Sequence, residues 1–311
     1  MSPDSDNNTS ILYLQGFNFR FEIVLALFFF FLTVYLCIVF GNTAIMHVII
    51  VNRTLHEPMY ILLCNMSVCD LIGSTALLPR LMADLFVEVK TIYVESCAVQ
   101  AFCFHFYGTA SQLILTVMAY DRYIAICDPL RYTSILTGTT LLKLCCLAWG
   151  IAFIVIAILT GLAARLPRCG TKILLAFCSI SSIFSLSCVD TSLNNISGLV
   201  ITYSLSILSL VTIVWTYSKI LYACLIKSDN RSKRKAIHTC ATHLTVFLFY
   251  EVILLFTIIA QRYPSSNTDV RSTIGLLIMV IPPIVNPIIY GINTKEIRKN
   301  IFRSASSKMS N

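Results

Sequence analysis

The chain has 311 residues, of which 57% are hydrophobic and 12% charged, and its mean hydropathy is +0.80. Soluble domains of this length carry roughly twice that charged fraction, so a soluble globular protein is excluded. The net charge of +8 has no basic soluble domain to carry it, which excludes nucleic-acid binding. Anionic lipid is then the expected partner of the basic surface.

Residues 1–22 read as a short, polar, extracellular N-terminus. They lack a basic opening, carry Asp4 and Asp6, and lead into an apolar run too long for a signal core. The first helix is therefore expected to be the anchor itself. Asn7-Asn8-Thr9-Ser10 holds two overlapping glycosylation sequons, at Asn7 and Asn8. A third, at Asn195, falls where the fifth helix begins and is expected to lie too close to the bilayer for modification.

From 23 to 293 the chain is expected to form one seven-transmembrane helix bundle, an all-α membrane protein. Apolar runs recur at about 23–51, 58–87, 97–126, 141–163, 196–226, 237–260 and 272–293. Each reaches or exceeds the about 20 residues that cross roughly 30 Å of hydrocarbon as helix. An eighth run, 173–189, is rejected on charge. With seven spans and an outside N-terminus, most of the 23 lysines and arginines face the cytoplasm. An eighth would carry the Lys227–Lys235 cluster outside, against the positive-inside bias. Residues 164–195 therefore read as a long extracellular loop.

Four of the 13 cysteines (Cys97, Cys169, Cys178 and Cys188) fall on the extracellular side. That even number in an oxidising setting fits two disulfides, with three connectivities open. No Cys-x-x-Cys pair or His/Cys cluster suggests a metal site. The cytoplasmic tail, 294–311, places Ile297, Ile301 and Phe302 on one helical face among Lys and Arg, the pattern of a short amphipathic helix on the inner leaflet.

Three motifs carry mechanism. Asp121-Arg122-Tyr123 ends the third span with an acid beside an arginine, a pair that can close internally or release the arginine to a cytoplasmic partner. Pro282-Pro283-Ile284-Val285-Asn286-Pro287-Ile288-Ile289-Tyr290 kinks the seventh span, where Asn286 can take up freed backbone groups and Tyr290 can swing. Asp70 stands alone in the middle of the second span, where an acid requires polar partners. Asn42, Ser111 and Asn286 are the candidates.

These motifs resemble those of the olfactory receptors, a branch of the rhodopsin-like G-protein-coupled receptors. Met118-Ala119-Tyr120 and Ala125 to Tyr132 around the arginine, Leu55-His56-Glu57-Pro58-Met59-Tyr60, Lys235 to Leu244, Gly41-Asn42 and Trp149 all match the family's wording. The resemblance covers nearly the full length. Glu251 departs from the glycine of mammalian members, which points toward a fish-type spelling, and Ser111 stands where mammalian members carry Glu.

The resemblance implies an odorant receptor of the plasma membrane, in olfactory sensory cilia, with a cytoplasmic C-terminus. It would bind a small, largely apolar odorant, activate a stimulatory heterotrimeric G protein and raise cyclic AMP, without catalysis or cofactor. It implies the pairs Cys97–Cys178 and Cys169–Cys188, and a sodium-type polar network of Asn42, Asp70, Ser111 and Asn286. The G-protein switch would comprise Asp121, Arg122, Tyr123, Tyr217, Asn286, Pro287 and Tyr290.

The family's ligand position, counted along helical faces, falls on Phe104, His105, Gly108 and Thr109 of the third helix and Ile201, Thr202 and Leu205 of the fifth. On the sixth and seventh it falls on Tyr250, Leu254 and Thr257, and on Leu276 and Met279. Phe104 stands where amine receptors place an Asp, which argues against a biogenic amine. The alternatives are a lipid or peptide receptor, against which the branch motifs speak, and a transporter, which would need internal repeats.

Overall fold

The computed structural model describes residues 10–17, 19–227, 230–262, 268–293 and 297–299, without the side chains of 225–240, 242–243, 261–262 and 290–293. Its long helices are α1 (Phe21–Val51), α2 (Pro58–Asp84) and α3 (Val94–Cys127), followed, after the short α4 (Tyr132–Ile135), by α5 (Gly138–Ala164). Beyond the short α6 (Ile180–Phe184) come α7 (Ser192–Lys227), α8 (Asn230–Arg262) and α9 (Thr268–Asn293). Six of these are long and apolar enough to span a bilayer, and α8 adds a shorter apolar stretch, Leu244–Ala260. The seven expected spans are present with ends displaced by a few residues.

The bundle is apolar on both its faces. Ile38, Leu62, Met66, Leu78, Ile114 and Met118 are fully buried. Phe29, Phe30, Phe40, Ile154, Leu208 and Phe256 point outward and are exposed, a surface that water would not tolerate and hydrocarbon does. Association of such helices depends on close packing and interhelical hydrogen bonds. α3 is the central post, packed against α2, α5, α7 and α8. Trp149 Nε1 on α5 donates to Asn65 Oδ1 on α2 at 2.8 Å, and so ties the bundle across α3.

Close packing is tightest at Gly73. A Cβ there would lie 2.5 Å from Cγ of the fully buried Tyr107 ring. At Gly161, by contrast, a Cβ meets nothing within 4 Å. Gly73→Ala is expected to destabilise the receptor by about 1–3 kcal/mol through overpacking, read as a lower melting temperature in detergent. Gly161→Ala should be neutral or slightly stabilising, because alanine is the better helix former. Equal melting temperatures for the two variants would contradict this packing.

A small sheet, which the all-α reading does not include, closes the end of the bundle where α1 begins. β1 (Ile11–Leu14) lies between β2 (Lys90–Tyr93), which it pairs antiparallel, and β3 (Lys172–Ile173), which it pairs parallel. Strands this short leave little alternation in the sequence. Gly16, at φ +56, turns the chain from β1 toward α1 beside the Lys90 side chain. Arg80 Nε donates to Asp84 Oδ2 at 3.0 Å and its guanidinium also reaches the Thr91 carbonyl, fixing α2 to β2.

Candidate functional site

Cys97 is bonded to Cys178 and Cys169 to Cys188. The first bridge brings the 164–195 loop over the mouth of the bundle. Three further contacts seat it: Cys178 N–H donates to Gln100 Oε1 at 2.9 Å, Ala176 N–H to Ser272 Oγ at 3.1 Å, and Ile180 N–H to His105 Nε2 at 3.2 Å. Phe177 stacks on Phe104 with centroids 5.1 Å apart. Within the loop, Ser179 and Ser182 form a reciprocal capping box that starts α6. The loop is thus an ordered roof.

Beneath it lies a cavity of about 130 Å³. Of the residues expected from helical counting, Phe104, His105, Gly108 and Thr109 of α3 line it. So do Thr202 and Leu205 of α7, Leu254 and Thr257 of α8, and Met279 of α9. Ile201, Tyr250 and Leu276 are not among its walls. The α7 face that looks inward runs through Gly198, Thr202 and Leu205, so Ile201 turns aside and packs with the residues around Cys97 and Cys178. Leu276 is buried in the bundle core. Tyr250 is buried too, and its hydroxyl donates to the Gly108 carbonyl, joining α8 to α3.

Helical counting did not find Gln112, which continues the α3 stripe one turn deeper, or Ile156 and Leu159 of α5. The roof residues Ile180, Ser181 and Phe184 also line the cavity, as does Asn195. The spacing 105, 108, 112 could have revealed Gln112. The roof could not be found that way, because its place depends on the Cys97–Cys178 bridge.

The α9 kink has partners in two other helices. Pro287 has no N–H to give the Pro283 carbonyl, and Asn42 Nδ2 of α1 donates to it instead, at 3.1 Å. Pro282 likewise frees the Ile278 carbonyl, which accepts from Tyr107 OH of α3 at 3.3 Å. Asn286 Nδ2 donates to Asp70 Oδ2 at 2.9 Å. Two of the carbonyls freed by the three prolines are therefore taken up by Asn42 and Tyr107, while Asn286 turns to the acid. Among the described residues, Asn42 Oδ1, Asp70 Oδ1, Ser111 Oγ and Asn286 Oδ1 are buried without a hydrogen-bond partner.

At the opposite end of α3, Arg122 Nε donates to Asp121 Oδ2 at 2.8 Å and its guanidinium bonds the same carboxylate a second time. Tyr132 OH donates to the other oxygen, Asp121 Oδ1, at 2.7 Å. Burial, and then the Asp121 carboxylate, raise the Tyr132 phenol above its ordinary range, so it stays a donor at neutral pH. The Tyr123 ring lies 5.0 Å from Trp215 of α7, and Tyr123 and Tyr217 both pack, partly buried, against Ile220 and Cys224. Pro287 fits against Gly41, where a Cβ would lie 3.1 Å from the proline ring. The side chains of Tyr290 and of most of Lys235 to Leu244, and the sequons at Asn7 and Asn8, lie outside what the structure describes. Of the tail helix, Ile297 is buried while Arg298 and Lys299 are exposed.

The sequence model of the family described as olfactory receptor matches residues 31–308. Olfactory receptor 4B13 of Mus musculus is 35% identical over 97% of this chain and 98% of its own length. Olfactory receptors 6N1 and 2F1 of Homo sapiens are 36% and 32% identical over 93% and 96% of this chain, and over 93% and 94% of their own lengths. With a roofed cavity at one end of α3, a latched Asp121-Arg122 pair at the other, and relatives matched from end to end, the chain belongs to the olfactory receptor family.

Proposed function

We propose that the chain is an odorant receptor that binds a small, largely apolar odorant beneath the 176–184 roof and activates a stimulatory, olfactory-type G protein to raise cyclic AMP. One observation carries the reading: α3 is a single unbroken helix whose outer turns wall the cavity and whose last turns hold the Asp121-Arg122 latch. A ligand that shifts α3 against α7 and α8 acts on both ends of the same rod. Half of the wall residues are Leu, Ile or Phe, and polar side chains are set among them, a make-up that suits a small, largely apolar molecule held by polar groups.

The Lys and Arg distribution favours an extracellular N-terminus and a cytoplasmic C-terminus in the plasma membrane, with the olfactory cilium as the cellular site. Ile297, buried against the bundle core beside exposed Arg298 and Lys299, suits a tail helix folded against the bundle with its basic side chains free to meet the inner leaflet. Asn42, Asp70, Ser111 and Asn286 are the residues that would hold sodium, which supplies the positive charge a buried carboxylate requires.

The test is a panel of chemically varied odorants applied to cells carrying the full chain and a cyclic-AMP reporter. A concentration-dependent rise with at least one member is expected. A flat response across a broad panel, with the receptor demonstrated at the surface, would contradict the reading.

A further inference from the structure

Directly under the cavity floor, Gln112 of α3, Ser206 of α7 and Glu251 of α8 form one polar cluster. Gln112 Nε2 donates to Ser206 Oγ at 3.0 Å and to Glu251 Oε1 at 2.5 Å. An amide nitrogen has two protons, and both are committed. Gln112 is itself a cavity wall residue, only 3% exposed. The group it has left to offer a ligand is its carbonyl oxygen.

Two other residues of the cavity wall have the same polarity. Thr202 Oγ1 spends its proton on the Gly198 carbonyl at 2.8 Å, and Thr257 Oγ1 spends its own on the Ile253 carbonyl at 2.9 Å. Each retains lone pairs only. Helices α3, α7 and α8 therefore each present an acceptor, and none of these three groups has a free proton. A ligand oxygen that can only accept would meet these groups unpaired, and leaving buried acceptors unsatisfied is costly. A site built to bond a ligand O–H or N–H strongly rejects the analogue that lacks it.

We propose that Gln112 is the specificity-determining residue of this cavity, reading odorants whose head group donates a hydrogen bond, with Glu251 and Ser206 as the positioning residues that fix its amide. The expected ligands are alcohols and protonated amines on an apolar skeleton; ketones, esters and ethers of the same skeleton are disfavoured. The proposal rests on the cavity being the odorant site. It gives Glu251, the departure from the mammalian wording, a definite role.

The experiment uses the full receptor, a cyclic-AMP reporter and an N-terminal epitope tag to measure surface level. The probes are a primary alcohol, its methyl ether, the corresponding methyl ketone and the primary amine, all on one skeleton taken from an agonist of the native receptor. The alcohol and the amine are each expected to be at least about tenfold more potent than the ether, the size of one buried hydrogen bond. Gln112→Leu should bring the alcohol-to-ether ratio to about one, by the same reasoning. Glu251→Leu, which leaves Gln112 in place without its orienting partner, should lower the ratio. Glu251→Gln, which keeps an acceptor for the Gln112 amide, should restore it.

An ether as potent as the alcohol, or a ratio unmoved in either leucine variant, overturns the inference. A preference confined to the amine overturns it too, because charge at Glu251 would then be the discriminator. In each case the odorant-receptor reading survives. If no odorant activates a receptor that reaches the surface, that reading fails first and the inference with it.

Discussion

Replacing Cys97 or Cys178 by serine is expected to leave the receptor inside the cell, with surface staining of an N-terminal epitope reduced to near background. The bridge spans 81 residues of sequence, and a cross-link over a separation of that order removes a large share of unfolded-chain entropy. Losing a native disulfide costs about 2–5 kcal/mol in small secreted domains, a large part of a marginal stability. Here it would also release Phe177 from Phe104 and the roof's hydrogen bonds to Gln100, Ser272 and His105. Cys169→Ser should do less, since its bridge to Cys188 spans 19 residues. Either Cys97 or Cys178 variant reaching the surface at the native level would contradict the load assigned to this bridge.

Arg122→Ala is expected to abolish agonist-driven cyclic AMP while the receptor still reaches the surface. Arg122 is 14% exposed and bonds Asp121 twice, so it is stored at the mouth of the cytoplasmic end. Opening the bundle there would present the guanidinium to the G protein. The complementary change is Tyr132→Phe. It strips Asp121 Oδ1 of its phenol donor and leaves a buried carboxylate oxygen unpaired. Hydrogen bonds to charged groups contribute about 1.5–3 kcal/mol, so the latch should loosen by roughly 10- to 150-fold at most. Basal cyclic AMP should rise accordingly. Normal signalling by a well-expressed Arg122→Ala receptor, or silent basal activity in Tyr132→Phe, would sink the latch.

The helical spans were legible because hydrocarbon thickness sets their length and hydropathy marks it directly. The α3 wall residues Phe104, His105, Gly108 and Thr109 were legible for a related reason, since a helix repeats its face every three or four residues. The same counting failed by one position at Ile201, because nothing in the sequence fixes how α7 is rotated against α3. It failed differently at Tyr250, which shares a face with Leu254 and Thr257 but sends its hydroxyl to the Gly108 backbone. The sheet and the roof were not legible at all. β1 pairs with segments far along the chain, and α6 sits over the cavity only because a disulfide and His105 hold it there. The donors to the α9 carbonyls show the same limit. Proline in the sequence announces a freed acceptor, but Asn42 and Tyr107 come from other helices.

The central claim is that an odorant occupying the cavity under the roof drives the switch at the far end of α3, and filling that cavity tests it most directly. Leu205 lines it from α7 and is partly buried, so Leu205→Trp places an indole in the space a ligand would take. The measurement is the cyclic-AMP dose–response to an agonist of the native receptor, at matched surface level. The account predicts that the agonist response falls by at least about tenfold in potency, the loss of roughly 1.4 kcal/mol of binding, while basal cyclic AMP persists. An unchanged agonist potency would mean that the ligand binds elsewhere, and would contradict the account.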